Sequence, residues 1–140
     1  MIDNNCAYCV EGELVDKFGI KICELETSKV YLFKEQSHPG RCIVAHKKHV
    51  GDMNELTAEE RAAYFEDVAR VARAIMAAFH PDKVNYGAYG DTGHHLHFHL
   101  CPKYKDEFEW GGVFLMNPDK KYLSDSEYAE MIEKIKANIK

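Results

Sequence analysis

The sequence predicts an α+β fold in which a mostly antiparallel, five-stranded sheet packs with two main helices. Two observations support this fold class. Five short apolar segments have the length of β-strands, whereas two longer segments repeat apolar residues at helical spacing. The connections between neighbouring segments are short, which favours antiparallel pairing. With 140 residues, the chain is long enough for one hydrophobic core and short for two, so we expect residues 1–140 to form a single domain.

The five strands are predicted from apolar runs that end at turn residues. They are residues 18–26, 29–34, 41–45, 84–90 and 95–101. The pair Thr27–Ser28 separates the first two runs at the spacing of a hairpin. The break at Pro39-Gly40 precedes the third strand, and the glycine-rich residues 90–93 join the last two.

Each of the two helices is predicted to begin at a capping box, in which a Thr or Ser is followed three residues later by Glu. Thr57 and Glu60 begin the first helix, and Ser124 and Glu127 begin the second. The first helix ends before Pro81. The apolar stripes are Phe65, Val68, Ala72, Ile75 and Phe79 in the first helix, and Tyr128, Met131, Ile132, Ile135 and Ile139 in the second.

The composition narrows the class of protein. The net charge is −5 and no block of like charges occurs, so we expect no nucleic-acid partner, although a small anionic ligand remains compatible. No apolar run approaches the length of a membrane span, and the polar start gives no secretory signal. The five cysteines are odd in number, which argues against a disulfide framework. We therefore expect a cytoplasmic protein.

The segment from His95 to Leu100 alternates histidine with apolar residues, and it is the most informative pattern in the chain. Side chains on a strand alternate between its faces, so His95, His97 and His99 are predicted to project together. Three interpretations remain open: a zinc site, a phosphate site in which the middle imidazole attacks phosphorus, or histidines without a shared role. Neighbours on one strand face lie roughly 6.5–7 Å apart at Cα, so three of them converge poorly on one ion. The row therefore favours a phosphate site.

A second candidate site lies near the N-terminus, where Cys6 and Cys9 have the spacing of half a four-ligand zinc site. Two more ligands are required, and His49 or a member of the histidine row could supply them. The alternatives are two thiols without a metal and thioredoxin-like redox chemistry. The redox alternative is disfavoured because no strand leads into the motif and no helix is predicted to begin at it.

The glycine-rich segment of residues 87–93 stands directly before the histidine row. Its backbone N–H groups and the Thr92 hydroxyl could bind a phosphate. A tight hairpin connection without any ligand explains the same residues equally well.

The run His95-Leu96-His97-Phe98-His99-Leu100-Cys101 resembles the H-φ-H-φ-H-φ-φ signature of the histidine triad (HIT) superfamily, where φ is an apolar residue. The following Pro102-Lys103 is similar to the Pro-Arg that often trails this signature. The resemblance extends over most of the chain and includes the CxxC motif, Gly40, His49 and Asn85. It implies a HIT-like α+β fold and a homodimeric enzyme that acts on nucleotides.

The resemblance also implies roles for individual residues. His97 would be the nucleophile that attacks the α-phosphorus to give a nucleotidyl-histidine intermediate, and His99 would bind the α-phosphate and assist the leaving group. In zinc-containing members with an N-terminal CxxC, the first histidine of the triad completes the metal site. The implied ligands of a structural zinc are Cys6, Cys9, His49 and His95. The N-terminal segment of residues 1–12 would then pack on the domain.

Two positions depart from the pattern of the superfamily. Arg41 stands where many members carry a histidine, and an arginine can hold phosphate but is always charged. Asp91 stands where many members carry a glutamine. The implied substrate-binding residues are Asn85, Thr92, Arg41 and Asp91. The form of the triad and the turn at residues 90–93 resemble the branch of dinucleoside polyphosphate hydrolases and phosphorylases more than the phosphoramidase branch.

The sequence therefore predicts a zinc-containing, bacterial-type HIT hydrolase that acts on dinucleoside polyphosphates or similar nucleoside monophosphoryl compounds. A phosphorylase or an adenosine phosphoramidase is an alternative within the same chemistry. A nucleotide-binding protein with weak or no catalysis is a second alternative, for which Arg41 and Asp91 are the main support. A hydrolytic zinc enzyme whose metal is held by the triad itself is a third.

Overall fold

The computed structural model describes residues 3–140, so residues 1–2 of the predicted N-terminal segment lie outside the described residues. The fold is of the predicted α+β class, with one antiparallel five-stranded sheet in the order β1-β2-β3-β5-β4. The strands are β1 (Gly19–Glu24), β2 (Ser28–Phe33), β3 (Cys42–His46), β4 (Lys83–Gly87) and β5 (His97–Lys103). The helices are α1 (Ala7–Val10), α2 (Glu13–Asp16), α3 (Ala58–Phe79) and α4 (Asp125–Asn138), and a 3-10 turn spans Met53–Glu55.

Strand β5 lies inside the sheet between β3 and β4, and this position decides what its two faces contact. Phe98 and Leu100 belong to the large hydrophobic core that α3 and α4 cover. His97 and His99 alternate with them and therefore face the other side of the sheet. On that side a smaller apolar cluster contains Ile43, the cross-strand partner of His99. The sheet thus separates the core from the histidine face.

Helix α3 begins at its predicted capping box, because the Thr57 hydroxyl accepts a hydrogen bond from the Glu60 backbone N–H at 3.1 Å. Its predicted apolar stripe is correct only in part. Tyr64 is fully buried, whereas Phe65 is 38% exposed and covers the edge of the core, with its ring 5.5 Å from that of Phe98. Helix α4 also begins at its predicted capping box and packs against α3 and β1.

A buried carboxylate ties α3 to the predicted hairpin between β1 and β2. Asp67 is 2% exposed. Its Oδ2 accepts hydrogen bonds from the Thr27 backbone N–H at 2.9 Å, the Thr27 hydroxyl at 2.8 Å and the Ser28 hydroxyl at 3.0 Å. These three bonds hold the hairpin turn against the middle of the helix.

Two local predictions were wrong. The strands predicted over residues 84–90 and 95–101 are shorter at the facing ends, so residues 88–96 form a long connection and His95 precedes β5. The His95 backbone N–H donates to the Gly93 carbonyl at 2.7 Å, which is a local turn contact and not a sheet pairing. Glycine has no side chain that could pack on a neighbouring strand, so strand pairing ends before this glycine-rich connection. In addition, α1 begins directly after Cys6, where no helix was predicted.

Within residues 3–140, none of the helices combines the length and the apolar composition needed to cross a bilayer.

Candidate active site and metal centre

A pocket of about 1020 Å³ opens on the histidine face of the sheet. Four parts of the chain surround it: the N-terminal segment with α1, the strands that carry the triad, the glycine-rich connection before β5 and the loop after β5. Its lining residues include Asp3, Tyr8, Phe33, Asp91, Thr92, His94, His95, His97, His99, Phe114 and Met116. All three triad histidines therefore reach one pocket, although His95 stands outside the strand.

The hydrogen bond of His97 fixes its tautomer. Its Nδ1 lies 2.6 Å from the carbonyl oxygen of His95. A carbonyl oxygen only accepts hydrogen bonds, so Nδ1 carries the proton and Nε2 carries a lone pair. Burial lowers the pKa of His97, which keeps the ring in this neutral form. The pocket therefore contains an unprotonated imidazole nitrogen that can act as a nucleophile.

His99 is held in the opposite tautomer. Arg41 Nη2 donates a hydrogen bond to His99 Nδ1 at 3.0 Å. A guanidinium has no acceptor, so Nδ1 of His99 carries the lone pair and Nε2 carries the proton. Burial and, next to it, the charge of Arg41 lower the pKa of His99 to about 2. The rings of His97 and His99 lie 5.4 Å apart, so an unprotonated ring nitrogen and a hydrogen-bond donor lie side by side.

The four predicted metal ligands come together although they are distant in sequence. The ligand atoms of Cys6, Cys9, His49 and His95 all lie within 4.8 Å of one another. The two Nδ1 atoms are 3.1 Å apart, and the sulfur–Nδ1 distances of the hydrogen-bonded pairs are 3.2–3.6 Å. A tetrahedral zinc with bonds of about 2.0–2.3 Å has ligand–ligand edges of roughly 3.3–3.8 Å. The size of the cluster and its donor set therefore fit a four-coordinate zinc.

A hydrogen bond outside the cluster orients His95 for this purpose. Its Nε2 donates to the carbonyl oxygen of His46 at 2.6 Å, which leaves the Nδ1 lone pair directed at the two sulfurs. Metal-bound histidines typically donate their second ring N–H in this way. On the far side of the cluster, an Asp3 carboxylate oxygen lies 4.0 Å from His49 Nε2. The second contacts of both histidines are compatible with metal binding.

Tyr8 connects the Cys/His cluster to the triad, and it was not predicted as a site residue. It lies inside the CxxC motif and is buried, with its ring centroid 5.4 Å from that of His95 and 5.0 Å from that of His97. The available signal was an aromatic residue between the two cysteines. The Tyr8 ring therefore packs against both a predicted metal ligand, His95, and His97.

The four predicted substrate-binding residues are not brought together. Asp91 and Thr92 line the pocket. Arg41 lies beneath it, fully buried, and its hydrogen bond to the triad goes to His99. Asn85 lies on β4 opposite Cys101 and is not among the lining residues. Direct contact with a substrate stays a prediction for all four.

The loop after β5 was also missed as part of the site. Residues 113–117 line the pocket, and the buried Phe114 places its ring 6.4 Å from that of His99. The signal in the sequence was the apolar run Val113-Phe114-Leu115-Met116, which lies outside every predicted helix and strand.

The sequence matches a known family and several known proteins. The model of the HIT domain matches residues 19–106, which is more than half of the chain. The chain belongs to the HIT domain family. Among relatives of this HIT protein, Protein hit of Bacillus subtilis is 29% identical over 122 residues and covers 82% of both chains. Adenosine 5'-monophosphoramidase hnt1 of Schizosaccharomyces pombe is 26% identical over 145 aligned positions, covering 97% of this chain and 99% of the relative.

Solved structures show the same fold. The histidine triad protein of Bradyrhizobium japonicum superimposes with a TM-score of 0.83 at 20% identity, covering 92% of this chain and 96% of that one. A Zn-bound histidine triad family protein of Mycobacterium smegmatis gives a TM-score of 0.68 at 22% identity, covering 94% and 93%. The predicted HIT-like α+β fold is confirmed.

Proposed function

We propose that this HIT protein is a nucleotide hydrolase or transferase that forms a nucleotidyl-histidine intermediate on His97. The observation that carries the proposal is the pair of opposite tautomers in the pocket. His97 offers a lone pair at Nε2, and the neighbouring His99 offers an N–H at Nε2. Side by side, they can engage a phosphorus atom and one of its oxygens at the same time.

In the first step, Nε2 of His97 forms a bond to the α-phosphorus, and the bond to the leaving group breaks with its electron pair; a phosphate leaves as the anion, whereas an amine leaving group takes a proton from solvent. The Nδ1–H bond to the His95 carbonyl stabilises the positive charge that develops on the ring. His99 donates from Nε2 to a phosphoryl oxygen whose negative charge grows in the transition state. In the second step, water attacks phosphorus, the phosphorus–nitrogen bond breaks and one water proton passes to solvent. Two displacements through a covalent intermediate replace one more difficult reaction.

Dinucleoside polyphosphates and similar nucleoside monophosphoryl compounds are the first proposed substrates. The charge of the pocket favours adenosine phosphoramidates as a second candidate. Within the described chain, the lining residues include the carboxylates Asp3 and Asp91 but no lysine or arginine. A polyphosphate chain carries several negative charges that such a lining does not neutralise, whereas a phosphoramidate carries one. The relative from S. pombe is named as an adenosine 5'-monophosphoramidase, which supports the same candidate.

The test is incubation with dinucleoside polyphosphates and adenosine phosphoramidates, with and without inorganic phosphate, followed by product analysis. We expect one substrate class to be turned over and the intact protein to gain the mass of a nucleotidyl group. His97→Asn should abolish both the adduct and turnover. His80→Asn is the matched control, because His80 is an exposed residue at the left-handed C-cap of α3, a conformation that asparagine tolerates.

Normal turnover by His97→Asn would contradict the assignment of the nucleophile. Tight nucleotide binding without product from any substrate would instead favour a binding protein with weak or no catalysis.

We also propose that Cys6, Cys9, His49 and His95 hold a structural zinc, as the cluster geometry supports. A closed site with four protein ligands would supply no open position for catalysis and would fix the N-terminal segment on the triad. The Zn-bound relative from M. smegmatis supports zinc as the metal. The proposed zinc would therefore influence the triad only by fixing the position of the N-terminal segment against it.

Metal analysis of purified protein tests the zinc site. We expect about one zinc per chain in the natural sequence and loss of zinc in the double variant Cys6→Ser, Cys9→Ser. Cys23→Ser is the matched control, because Cys23 lies on β1 away from the cluster. Full zinc content in the double variant would favour a metal held by the triad itself and would contradict the structural site.

We propose that residues 1–12 are part of one HIT domain formed by residues 1–140. Tyr8 supports this, because its side chain packs on the triad and its backbone carbonyl accepts a hydrogen bond from Lys29 Nζ at 3.1 Å. Limited proteolysis should leave the N-terminal segment attached in the presence of zinc, and its rapid removal would contradict the proposal. The cytoplasmic location stays a prediction.

We further propose a homodimer, as the family resemblance implies. Strand β4 is an edge strand, so within residues 3–140 one side of its backbone has no partner strand. Tyr86 on this strand is 52% exposed and Met76 on α3 is 42% exposed, and both line one surface groove. Sedimentation at twice the mass of the chain would support the dimer, and a monomer at micromolar concentration would contradict it.

A further inference from the structure

Arg41 is a fully buried cation without an ionic partner. Its exposed fraction is 0%, and it takes part in none of the ion pairs among the described residues. Charged groups at such depth are normally paired with an opposite charge. The positive charge of Arg41 is therefore held by dipoles and aromatic faces, and it stays available to an anion nearby.

The contacts of Arg41 hold its guanidinium in one orientation. Nη1 donates to the Leu115 carbonyl at 3.0 Å, and Nη2 donates to the Met116 carbonyl at 2.9 Å. The guanidinium carbon lies 4.2 Å from the ring centroid of Phe33 and 4.9 Å from that of Phe114. Among the described residues, Nε of Arg41 has no hydrogen-bond partner. The planar group is fixed by the loop after β5 and by two aromatic rings.

From this position Arg41 reaches the triad through a single atom. Nη2 lies 3.0 Å from Nδ1 of His99, and an arginine can only donate. The opposite nitrogen of the ring, Nε2, makes no hydrogen bond to the described protein and belongs to a residue that lines the pocket. A fixed positive charge on the other side of the same ring thus strengthens any hydrogen bond that Nε2–H donates into the pocket.

We propose that Arg41 is a positioning residue that fixes His99 as the Nε2–H tautomer and supplies, through this ring, the positive charge that the pocket lining lacks. The substrate class this suits is a nucleotide that presents one anionic phosphoryl group to His99. The inference rests on the proposed function, in which His99 binds that group. Arg41 itself does not touch the substrate, so its effect depends on donating to Nδ1 and on its charge.

The first experiment measures the tautomer and needs neither substrate nor a variant. In nitrogen-15 NMR spectra of the natural protein, we expect His99 to be neutral, protonated at Nε2 and unprotonated at Nδ1. His97 should show the opposite pattern in the same spectrum, which gives an internal comparison. A proton on Nδ1 of His99 would overturn the proposal whether or not the protein proves to be an enzyme.

The second experiment separates the charge of Arg41 from its hydrogen bond. Arg41→Lys keeps a donor and the charge, Arg41→Gln keeps only a donor and Arg41→Met loses both. We expect kcat/KM to fall about 100-fold in Arg41→Met, about 10-fold in Arg41→Gln and less in Arg41→Lys, since hydrogen bonds to charged groups are worth roughly this range. The affinity for adenosine monophosphate, measured by calorimetry, should follow the same order.

Lys103→Met is the matched control. Lys103 is a second buried cation that holds the same loop, since its Nζ donates to the carbonyls of Glu109 at 2.6 Å and Gly112 at 2.7 Å. It has no hydrogen bond to His99. If Arg41→Met lost no more affinity and activity than Lys103→Met, Arg41 would only anchor the loop and the proposal would be wrong. If neither the natural protein nor any variant turned over a substrate, the order of their nucleotide affinities and the tautomer of His99 would still decide the role of Arg41.

Discussion

Acidification should destabilise the fold through His99. The ring is 3% exposed and lies against Arg41, and together these effects lower its pKa from 6.5 to about 2. In the unfolded chain the same ring takes up a proton as the pH falls through its ordinary value, whereas in the folded chain it stays neutral. The unfolded state therefore binds more protons below that value. The contribution of His99 is fully present at higher pH and is lost progressively on acidification.

The magnitude follows from the difference between the two pKa values. Each pH unit below the unfolded pKa costs about 1.4 kcal/mol of unfolding free energy, so one histidine costs about 2 kcal/mol at about pH 5. The assay is urea unfolding at about pH 8 and about pH 5, at one fixed zinc concentration. His99→Gln removes the titrating group and keeps an oxygen that can accept from Arg41. Its loss of stability between the two pH values should be smaller than that of the natural protein by about 2 kcal/mol.

Other buried histidines titrate in both proteins, so their effects cancel in this comparison. His80→Asn, at the exposed end of α3, should keep the full pH dependence of the natural protein. Equal pH dependence in the natural protein and in His99→Gln would show that His99 takes up its proton as readily when folded as when unfolded. Burial and the charge of Arg41 would then not lower the pKa of His99 in the folded protein.

Three further substitutions probe the scaffold, each measured by urea unfolding at neutral pH. Thr57→Ala removes the hydroxyl that caps α3 and should cost about 1 kcal/mol, and an unchanged midpoint would contradict the cap. Asp67→Ala leaves the N–H and hydroxyl of Thr27 without their buried acceptor and should lower the free energy of unfolding by about 1–3 kcal/mol. The same substitution at an exposed aspartate should have a smaller effect. Gly40→Ala should cost about 1–3 kcal/mol, because φ is +96° and an added Cβ would lie 2.6 Å from Phe79 Cδ2. A neutral result there would mean that Phe79 moves aside at no cost.

Most of the fold was predictable because its signals are local. Short apolar runs that end at turn residues identified the strands, and the capping boxes at Thr57 and Ser124 identified where both long helices begin. The errors lie where local patterns are weak. Phe65 fits a helical stripe by spacing, yet Tyr64 is the residue buried in the core, where its hydroxyl donates to the Val44 carbonyl. In the connection of residues 88–96, Tyr89 and His95 continue the patterns of the neighbouring strands, so the ends of those strands could not be predicted from the sequence.

The candidate site was predictable in its composition and not in its arrangement. The metal set followed from the CxxC motif and the resemblance, and the structure brings those four residues together. Arg41 was predicted as a substrate-binding residue, and the structure places it beneath the pocket with a hydrogen bond to His99. That placement depends on the loop of residues 113–117, whose carbonyls and aromatic ring hold the guanidinium. No local pattern in the sequence connects these segments.

The sequence by itself determined which imidazoles stand in the row, that they alternate with core residues and that the chain belongs with histidine triad proteins. Only the tertiary structure decided what each imidazole can do. A ring nitrogen donates or accepts according to the partner of the other nitrogen. For His97 that partner is a carbonyl two residues away, and for His99 it is a guanidinium 58 residues away. Because one partner only accepts and the other only donates, two identical side chains on one strand present an acceptor nitrogen and a donor N–H to the same pocket.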